Sequence, residues 1–417
     1  MLDELRRELR FAWGEAAFRW TMLFALVFSA FSVVVGVKAS AHQQALLDSL
    51  IDTSMGAQDW TLEGRTDVGD IAYNVFHLTY DPPSPLAFAA LGLRDELPWK
   101  HRLRMLALEG QIHETDAGNP ELSALGQLDF AYLASVLLPL FVIGVLFDLD
   151  ARERRAGRYE LLCVTSVFGS RLFLLKAVVR GVVLFCALGL PFLLVAVASG
   201  VAIATTLLVL GIVLLHIIFW VVMCRLIPTR RLDGVTAALS LLSLWILLTI
   251  AVPVGAKVGI EGTIAVPSGG EILLTQRETV NDAWDLPKAA TMEPFLAVHP
   301  EWADYAELDR PFEWKWYYAF QQVGDQAVQP LTTALYAGMT ARDLAMAKAA
   351  ILSPALLSER ALMSLAETDV LQHLRYVECV RDFHARLRHF YYPLLFGEKA
   401  FSEEAMAQLP RFQPCTN

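Results

Sequence analysis

The stretch AVVRGVVLFCALGLPFLLVAVASGVAIATTLLVLGIVLLHIIFWVVM, residues 177–223, is almost wholly apolar, with Arg180 as its one charged residue. A run of about 20 apolar residues is long enough to cross the hydrocarbon core of a bilayer as a helix. This stretch is about twice that length, and Ser199 and Gly200 supply a tight turn near its middle. It therefore predicts two membrane-spanning helices joined by a short hairpin.

Three more apolar runs of this kind lie outside that stretch. We predict a mainly α, polytopic membrane protein with five spans, at residues 20–37, 130–147, 177–198, 202–223 and 235–254. The composition agrees, because the chain is 55% hydrophobic and only 19% charged, with a mean hydropathy of +0.43. The first run follows three arginines, as in a signal peptide, but it is long for one and we do not expect cleavage.

The distribution of lysine and arginine near the span ends predicts the orientation. Residues 1–19, 148–180 and 224–233 hold 14 basic and 9 acidic residues, whereas the rest of the chain holds 20 and 35. We therefore expect the N-terminus in the cytoplasm and, after five spans, the C-terminus outside. The expected segments are a cytoplasmic interfacial helix at 1–19, cytoplasmic loops at 148–176 and 224–234, and mostly helical extracytoplasmic regions at 38–129 and 255–417. The apolar run at 349–357 is too short for a sixth span, so we place it outside.

The first predicted cytoplasmic loop begins within FDLDARERRAGRYELL, residues 147–162, which carries eight charged residues. Helical spacing of its apolar side chains predicts short amphipathic helices at the membrane surface. The N-terminus has a similar pattern, because Leu2, Leu5, Leu9 and Trp13 form an apolar stripe beside charged residues. On periodicity alone, both segments could simply anchor the ends of spans.

Residues 153–176, ERRAGRYELLCVTSVFGSRLFLLK, resemble the coupling loop of ABC-2 type transporter permeases. The residues that fit the family pattern are Glu153, Arg154, Gly157, Leu161, Leu162, Ser170, Arg171 and Lys176. The sequence departs from the pattern at Arg158, Tyr159, Phe168, Gly169 and Leu175. The resemblance implies a loop that docks on a separate ATPase, and the expected coupling residues are Glu153, Arg154, Gly157, Tyr159, Leu161 and Leu162.

The C-terminal third carries HPEW at 299–302, WKWYYAFQQVGD at 314–325, FYYPLLF at 390–396 and LPRF at 409–412. This order resembles a branch of ABC-2 permeases that has a large extracytoplasmic C-terminal domain of unknown function. Its aromatic motif comprises Trp302, Trp314, Trp316, Tyr317 and Tyr318. These rings are expected to pack in a helical core, and an exposed face for a substrate or a partner is the alternative.

The resemblance implies the permease subunit of an ABC transporter in a bacterial cytoplasmic membrane, in contact with its lipids. Its partners would be a second permease, identical or related, and two copies of an ABC ATPase; no nucleic acid is expected. Export is the expected activity. The alternative is a mechanotransmission or receptor-like subunit, whose outer domains are moved by the ATPase without solute translocation. A membrane-bound hydrolase is disfavoured because the sequence has no catalytic constellation.

The chain also lacks the GxxxxGK[ST] phosphate loop, so no enzymatic activity or cofactor is expected in it, and ATP and Mg would bind to the partner ATPase. No metal site is predicted. His216 lies inside the fourth span, where an ionisable group either lines a substrate path or makes a hydrogen bond between helices. Cys379 and Cys415 lie in the predicted outer region, where a disulfide could form, but we expect two free cysteines.

Overall fold

The computed structural model describes residues 2–114, 128–157, 160, 161, 164, 172–227 and 233–415. These residues are mainly helical, as predicted. The helices are α1 (Leu2–Gly14), α2 (Ala16–Leu62), α3 (Val68–Asn74), α4 (Leu108–His113), α5 (Phe130–Arg155), α6 (Leu172–Ala198), α7 (Ile203–Leu226), α8 (Gly234–Thr263), α9 (Gly269–Asp282), α10 (Lys288–Val298), α11 (Trp314–Ala350), α12 (Pro354–Leu365), α13 (Val370–Phe396) and α14 (Glu403–Ala407). Short 3-10 helices occur at Gly92–Asp95 and Pro300–Tyr305.

Five of these helices, α2, α5, α6, α7 and α8, are long and apolar enough to cross a membrane, which confirms the predicted number of candidate spans. They form a bundle whose core includes Leu138, Leu184, Phe192, Val209 and Trp220. The outer surface of the bundle is also apolar, with exposed side chains such as Leu194, Leu215 and Val235. Such a surface is typical of helices that contact lipid.

Two of the five helices are much longer than the spans predicted within them. α2 has 47 residues and α8 has 30, so they extend for about 70 and about 45 Å, whereas a hydrocarbon core is about 30 Å thick. Both helices continue into a second helical assembly at the end of the bundle opposite α1. We call this assembly, formed by residues 38–114 and 264–415, the distal region.

Two of the apolar helices contain π-helical turns, at Leu133–Leu137 in α5 and at Leu247–Ala251 in α8. Pro139 follows the first turn and Pro253 the second. Proline has no N–H for the bond to the carbonyl four residues before it, so it disrupts the regular ladder and favours such irregular turns. Both turns contact α12, which gives them a structural role described below.

The distal region has an aromatic core that includes Phe295, Phe320, Phe383, Tyr391 and Phe396. Two antiparallel strands, β1 (His77–Tyr80) and β2 (Lys100–Leu103), pair with His77 opposite Leu103. Strands this short leave little alternating pattern, so the sequence did not predict them.

A disulfide joins Cys379 on α13 to Cys415 in the C-terminal tail, with a Cα–Cα distance of 6.4 Å. The expectation of two free cysteines is therefore wrong. The tail is drawn to α13 because the Phe412 ring packs edge-on against Tyr80 and Phe383. That packing brings two cysteines together although their sequence separation is 36.

Candidate functional site

The predicted coupling loop begins at the α1 end of the bundle, where α5 stops. Gly157 has φ +68°, the left-handed conformation that glycine adopts readily and that commonly ends a helix. Arg154 and Gly157 are exposed, and Leu161 has 64% of its surface exposed. Tyr159 and Leu162 lie outside the described residues. The described part of the loop thus presents a surface with an apolar side chain.

Glu153, which we expected to orient the ATPase, is paired within the chain. Its carboxylate accepts a hydrogen bond of 2.9 Å from the Lys176 ammonium group near the start of α6, and both side chains are mostly buried. The pair ties the end of α5 to the start of α6. Glu153 therefore lies at the start of the loop and also helps to fix its position.

A buried arginine organises the contacts behind this loop. The Arg180 side chain is only 3% exposed. Its guanidinium group donates to both carboxylate oxygens of Glu15, at 2.9 and 3.2 Å, and to the Val145 carbonyl oxygen at 3.2 Å. The Glu8 carboxylate on α1 lies 3.8 Å from the same group. Arg180 thus holds α1, the start of α2, α5 and α6 together.

Arg152 completes this arrangement from α5. Its guanidinium group lies 3.2 Å from a Glu15 oxygen and 3.3 Å from Asp148. Glu15 therefore stands between two arginines contributed by different helices. We call Glu8, Glu15, Arg152 and Arg180 the α1-end cluster.

The two carboxylates of the α1-end cluster differ in their electrostatics. Burial alone would raise the pKa of Glu15, but the hydrogen bond and charge of Arg180 outweigh burial, so this pKa is lowered. Burial raises the pKa of Glu8, although Lys176 and Arg180 oppose the shift. Glu15 is therefore firmly ionised, and it is the main anionic partner of Arg180.

One member of this cluster could be recognised from the sequence. Arg180 stood out as the one charge in a long apolar run, and such a charge is retained only with a partner. The partners did not stand out, because Glu8 and Glu15 fit the polar face of an amphipathic N-terminal helix. Only the packing of α1 against α6 shows that they face inward.

His216 is buried in the bundle core and has hydrogen-bond partners on both ring nitrogens. The Trp220 indole donates to Nε2 at 3.0 Å. In a neutral ring this leaves Nδ1 as the donor to the Ser358 hydroxyl oxygen, 3.3 Å away. Ser358 belongs to α12, so this residue of the fourth predicted span contacts the C-terminal part of the chain.

α12 packs into the far end of the bundle, between α7 and the π-helical turns of α5 and α8. Leu362 and Ala366 belong to the same core as the apolar helices, and the Ala366 carbonyl accepts from the Ser84 hydroxyl at 2.6 Å. The sequence did not predict this packing, because the segment is too short and too polar to resemble a span. Part of the distal region is thus built into the bundle.

A second segment of the distal region, residues 86–91, fills the same end of the bundle. The Phe88 ring stacks on Phe192 of α6, and the Ala89 carbonyl accepts from Ala131 N at 2.8 Å. Gly36 of α2 is required here, because a Cβ at this position would lie 1.8 Å from the Phe88 carbonyl oxygen. This end of the bundle is closely packed.

The predicted aromatic motif lies in the distal core. The Trp316 indole donates to the Thr291 hydroxyl at 2.8 Å, and the Tyr318 hydroxyl donates to the Gly69 carbonyl at 2.8 Å. Trp302 stacks on Phe396, with ring centroids 5.3 Å apart. Trp314 and Tyr317 are half-buried and contact each other edge-on. Packing accounts for these rings, and the motif does not form an exposed face.

Comparison with known families gives a match to the C-terminal part of the distal region. Residues 270–414 are similar to a family described as "Domain of unknown function (DUF3526)". No curated protein and no solved structure matches the chain. The matched segment runs from the start of α9 to beyond α14 and contains Cys379 of the disulfide. It includes the α12 helix, which packs against the apolar helices α5, α7 and α8.

Proposed function

We propose that this chain is the membrane subunit of an ABC transporter of the permease type, with its ATPase on a separate chain. The five apolar helices cross the membrane, α1 and the 148–176 loop are cytoplasmic, and the distal region is extracytoplasmic. The α1-end cluster is the observation that supports this proposal most. It joins α1, α5 and α6 directly behind the loop that resembles an ABC-2 coupling loop.

The cluster suggests how movement passes from the ATPase into the bundle. The ATPase docks on the loop, where Leu161 offers an apolar contact, and nucleotide-driven closure displaces the end of α5. Breaking a buried ion pair by removing one partner costs about 3–5 kcal/mol, so α1, α5 and α6 move together instead of separating. ATP and Mg are bound by the partner, and this chain supplies the mechanical connection.

Two exposed leucines of similar accessibility offer a matched test of docking. Leu161 in the loop is 64% exposed and Leu274 in the distal region is 60% exposed. We expect Leu161→Asp to abolish co-purification of the ATPase from the native membrane, as identified by mass spectrometry, and Leu274→Asp to leave it intact. If the Leu161→Asp variant retains the ATPase, the loop is not the docking site and only anchors the helix ends.

The orientation has its own test. A reporter that is active only outside the cytoplasm should be active when fused after Asn417 and inactive when inserted at Gly157. An inactive reporter at Asn417 would place the distal region in the cytoplasm and would contradict the proposal.

We further propose that two such subunits form the substrate path between them and that the activity is export, since five spans are few for a complete path. One observation favours the mechanical alternative. α2 and α8 run without a break from the bundle into the distal region, and α12 returns from that region into the bundle. Such continuous connections would transmit a tilt of the helices to the distal region without opening a path.

Spin-label distances between the two subunits distinguish the activities. Ser199→Cys reports on the turn between α6 and α7, and Trp60→Cys on the far end of α2, in a background lacking the native Cys163, Cys186 and Cys224. Export predicts that nucleotide trapping changes the Ser199 distance. A change at Trp60 with Ser199 fixed would instead support mechanical transmission.

A further inference from the structure

The distal region contains an open groove of about 1050 Å³ between α11 and α13. Its α11 wall is formed by small and polar side chains that recur at helical spacing, among them Gln329, Thr333, Ala337 and Thr340. The aromatic motif does not contribute to it. A volume of this size is at the upper end of the range typical of small-molecule sites.

The walls of the groove are held in place by largely buried ion pairs. Arg388 pairs with Asp325, whose carboxylate also accepts from Leu108 N at 2.8 Å. Arg381 donates to both oxygens of Glu109, at 2.8 and 3.0 Å, and its guanidinium lies over the Tyr336 ring at 4.3 Å. The groove is thus preformed, which reduces the entropic cost of binding.

The groove carries a net negative charge, which does not come from these pairs. The charges of Glu109 and Asp325 are balanced by Arg381 and Arg388. His384 also lines the groove, and burial lowers its pKa well below the usual value, so it is neutral. Glu378 and Asp382, one turn apart on α13, are exposed at the rim. Their two carboxylates give the groove its surplus charge and favour a cation.

Two polar side-chain atoms in the wall have no protein partner among the residues that the structure describes. Thr332 is only 7% exposed, and its hydroxyl makes no hydrogen bond; the buried amide nitrogen of Gln326 makes none either. Both residues line the groove. A buried group that makes no hydrogen bond is destabilising, so a bound molecule with polar atoms would relieve that cost.

The polarity of the groove changes along its length. The charged pairs lie toward the end of α11 where Gln322 and Asp325 are found. Leu344 and Leu374 line the opposite end, which is the end nearer in sequence to α12, and Leu374 lies one turn of α13 from Glu378. The groove therefore matches a molecule with one charged and one apolar part, with the apolar part toward the bundle.

We propose that the α11–α13 groove binds a cationic amphiphile, with its charge beside Glu378 and Asp382 and its apolar part beside Leu344 and Leu374. This inference rests on the proposed function only in naming the class of molecule that the subunit would handle. Binding itself requires neither the ATPase nor transport. It can therefore be tested on the purified chain.

The probe is 2-phenylethylammonium, which carries an ammonium group at one end and an apolar ring at the other, and 3-phenylpropionate is an anion of similar size and shape. Calorimetric titration of the full chain in phosphatidylcholine nanodiscs, with empty discs subtracted, should show saturable binding of the cation. Glu378→Gln with Asp382→Asn should weaken that binding about tenfold or more, because charge attraction is lost, and should leave the anion's signal unweakened. Glu293→Gln with Glu404→Gln, which removes two exposed carboxylates elsewhere, should retain wild-type affinity for the cation.

The Ala337→Trp variant places a bulky side chain in the groove and should therefore abolish saturable binding of the cation. The inference is overturned if the rim variant binds the cation as tightly as the wild type, or if the control variant loses as much affinity. It is also overturned if Ala337→Trp leaves binding intact but converts a dimer to a monomer in size-exclusion chromatography, since a second copy would then occupy the groove. Retention of the ATPase by the Leu161→Asp variant, with cation binding as described above, would contradict the proposed function alone.

Discussion

The α1 end of the bundle and the distal region each rely on a buried arginine, but the two arginines stabilise different kinds of structure. Arg180 joins segments from the N-terminus, α5 and α6, and its partners are two glutamates on or beside a surface helix. Arg388 pairs with Asp325 inside a region that also has an aromatic core, a paired sheet and a disulfide.

This difference shows in which part of the molecule charged contacts determine how the helices pack. In the distal region, apolar packing already fixes the helices, and the ion pairs satisfy groups that the packing has buried. At the α1 end, a few ionic contacts determine where a short amphipathic helix rests against the bundle. A few interactions can therefore transmit a movement that starts at the α1 end, whereas the distal region should move as one body.

Matched replacements of the two arginines should produce the largest effects. Arg180→Met and Arg388→Met each remove a cationic partner from a largely buried carboxylate, Glu15 and Asp325 respectively. The cost should be at most about 3–5 kcal/mol, the value for breaking a fully buried ion pair, because both carboxylates keep other partners. We expect Arg180→Met to release α1 with little change in the distal region, and Arg388→Met to destabilise the whole distal region. Hydrogen–deuterium exchange with mass spectrometry of each variant measures both effects.

Arg19→Met is the control for the first variant, because Arg19 is exposed in the same part of the chain. It should leave exchange in α1 unchanged. Equal exchange across the whole molecule in the Arg180 and Arg388 variants would remove the distinction between the two ends.

Removing the disulfide should have the next largest effect. Cys379→Ser with Cys415→Ser opens a loop with a sequence separation of 36, which a chain-entropy estimate values at about 4 kcal/mol. We expect the loss to appear in urea unfolding monitored by the distal tryptophans, and exchange in α1 to stay unchanged. No loss of distal stability would mean that the tail's aromatic packing holds it without the bond.

Acid should weaken the distal region. Burial lowers the pKa of His77 and of His101 to about 4. Between the ordinary pKa of about 6.5 and this value the unfolded chain binds more protons, so stability falls as the pH falls through that window. From pH 7 to pH 5, each histidine should cost about 2 kcal/mol.

His101→Gln should reduce this pH dependence by one histidine's share, and it can keep a hydrogen bond to the Tyr376 hydroxyl, which lies 2.8 Å from His101 Nδ1. Replacing the exposed His42 with glutamine should not change the slope. Urea unfolding at several pH values measures both. A flat profile in the wild type would show that these histidines are protonated without penalty.

The smallest expected effect concerns the contact between the distal region and the bundle. Ser358→Ala removes the partner of His216 Nδ1 and should cost about 1–2 kcal/mol. We expect faster exchange in α12, while Ser364→Ala, at an exposed position of the same helix, should change nothing. Unchanged exchange in the Ser358 variant would indicate that apolar packing alone holds α12.

Much of the architecture could be predicted from the sequence because it depends on local composition. Each of the five apolar runs lies within one helix, and the helical character of the C-terminal third follows from its periodicity. The aromatic motif was also correctly expected to pack in a core. These features need only the spacing of apolar side chains.

Features that depend on contacts between distant segments could not be predicted in this way. The α1-end cluster joins Glu15 to Arg180 across 165 positions, and His216 meets Ser358 across 142. The disulfide could not be predicted without knowing where the C-terminal tail packs. The groove between α11 and α13 depends on how these two helices pack against each other, which the spacing of apolar residues does not reveal.

The position of α12 also constrains the order in which the protein is made. Pro354 follows Leu226, the end of α7, by 128 residues. With the proposed topology, α7 would enter the membrane with His216 lacking its Ser358 partner, and the bundle would be complete only after the distal region had been exported and had folded back onto it. A chain truncated before α12 would lack part of its own bundle, so its loss of activity would report incomplete assembly as well as a missing distal region.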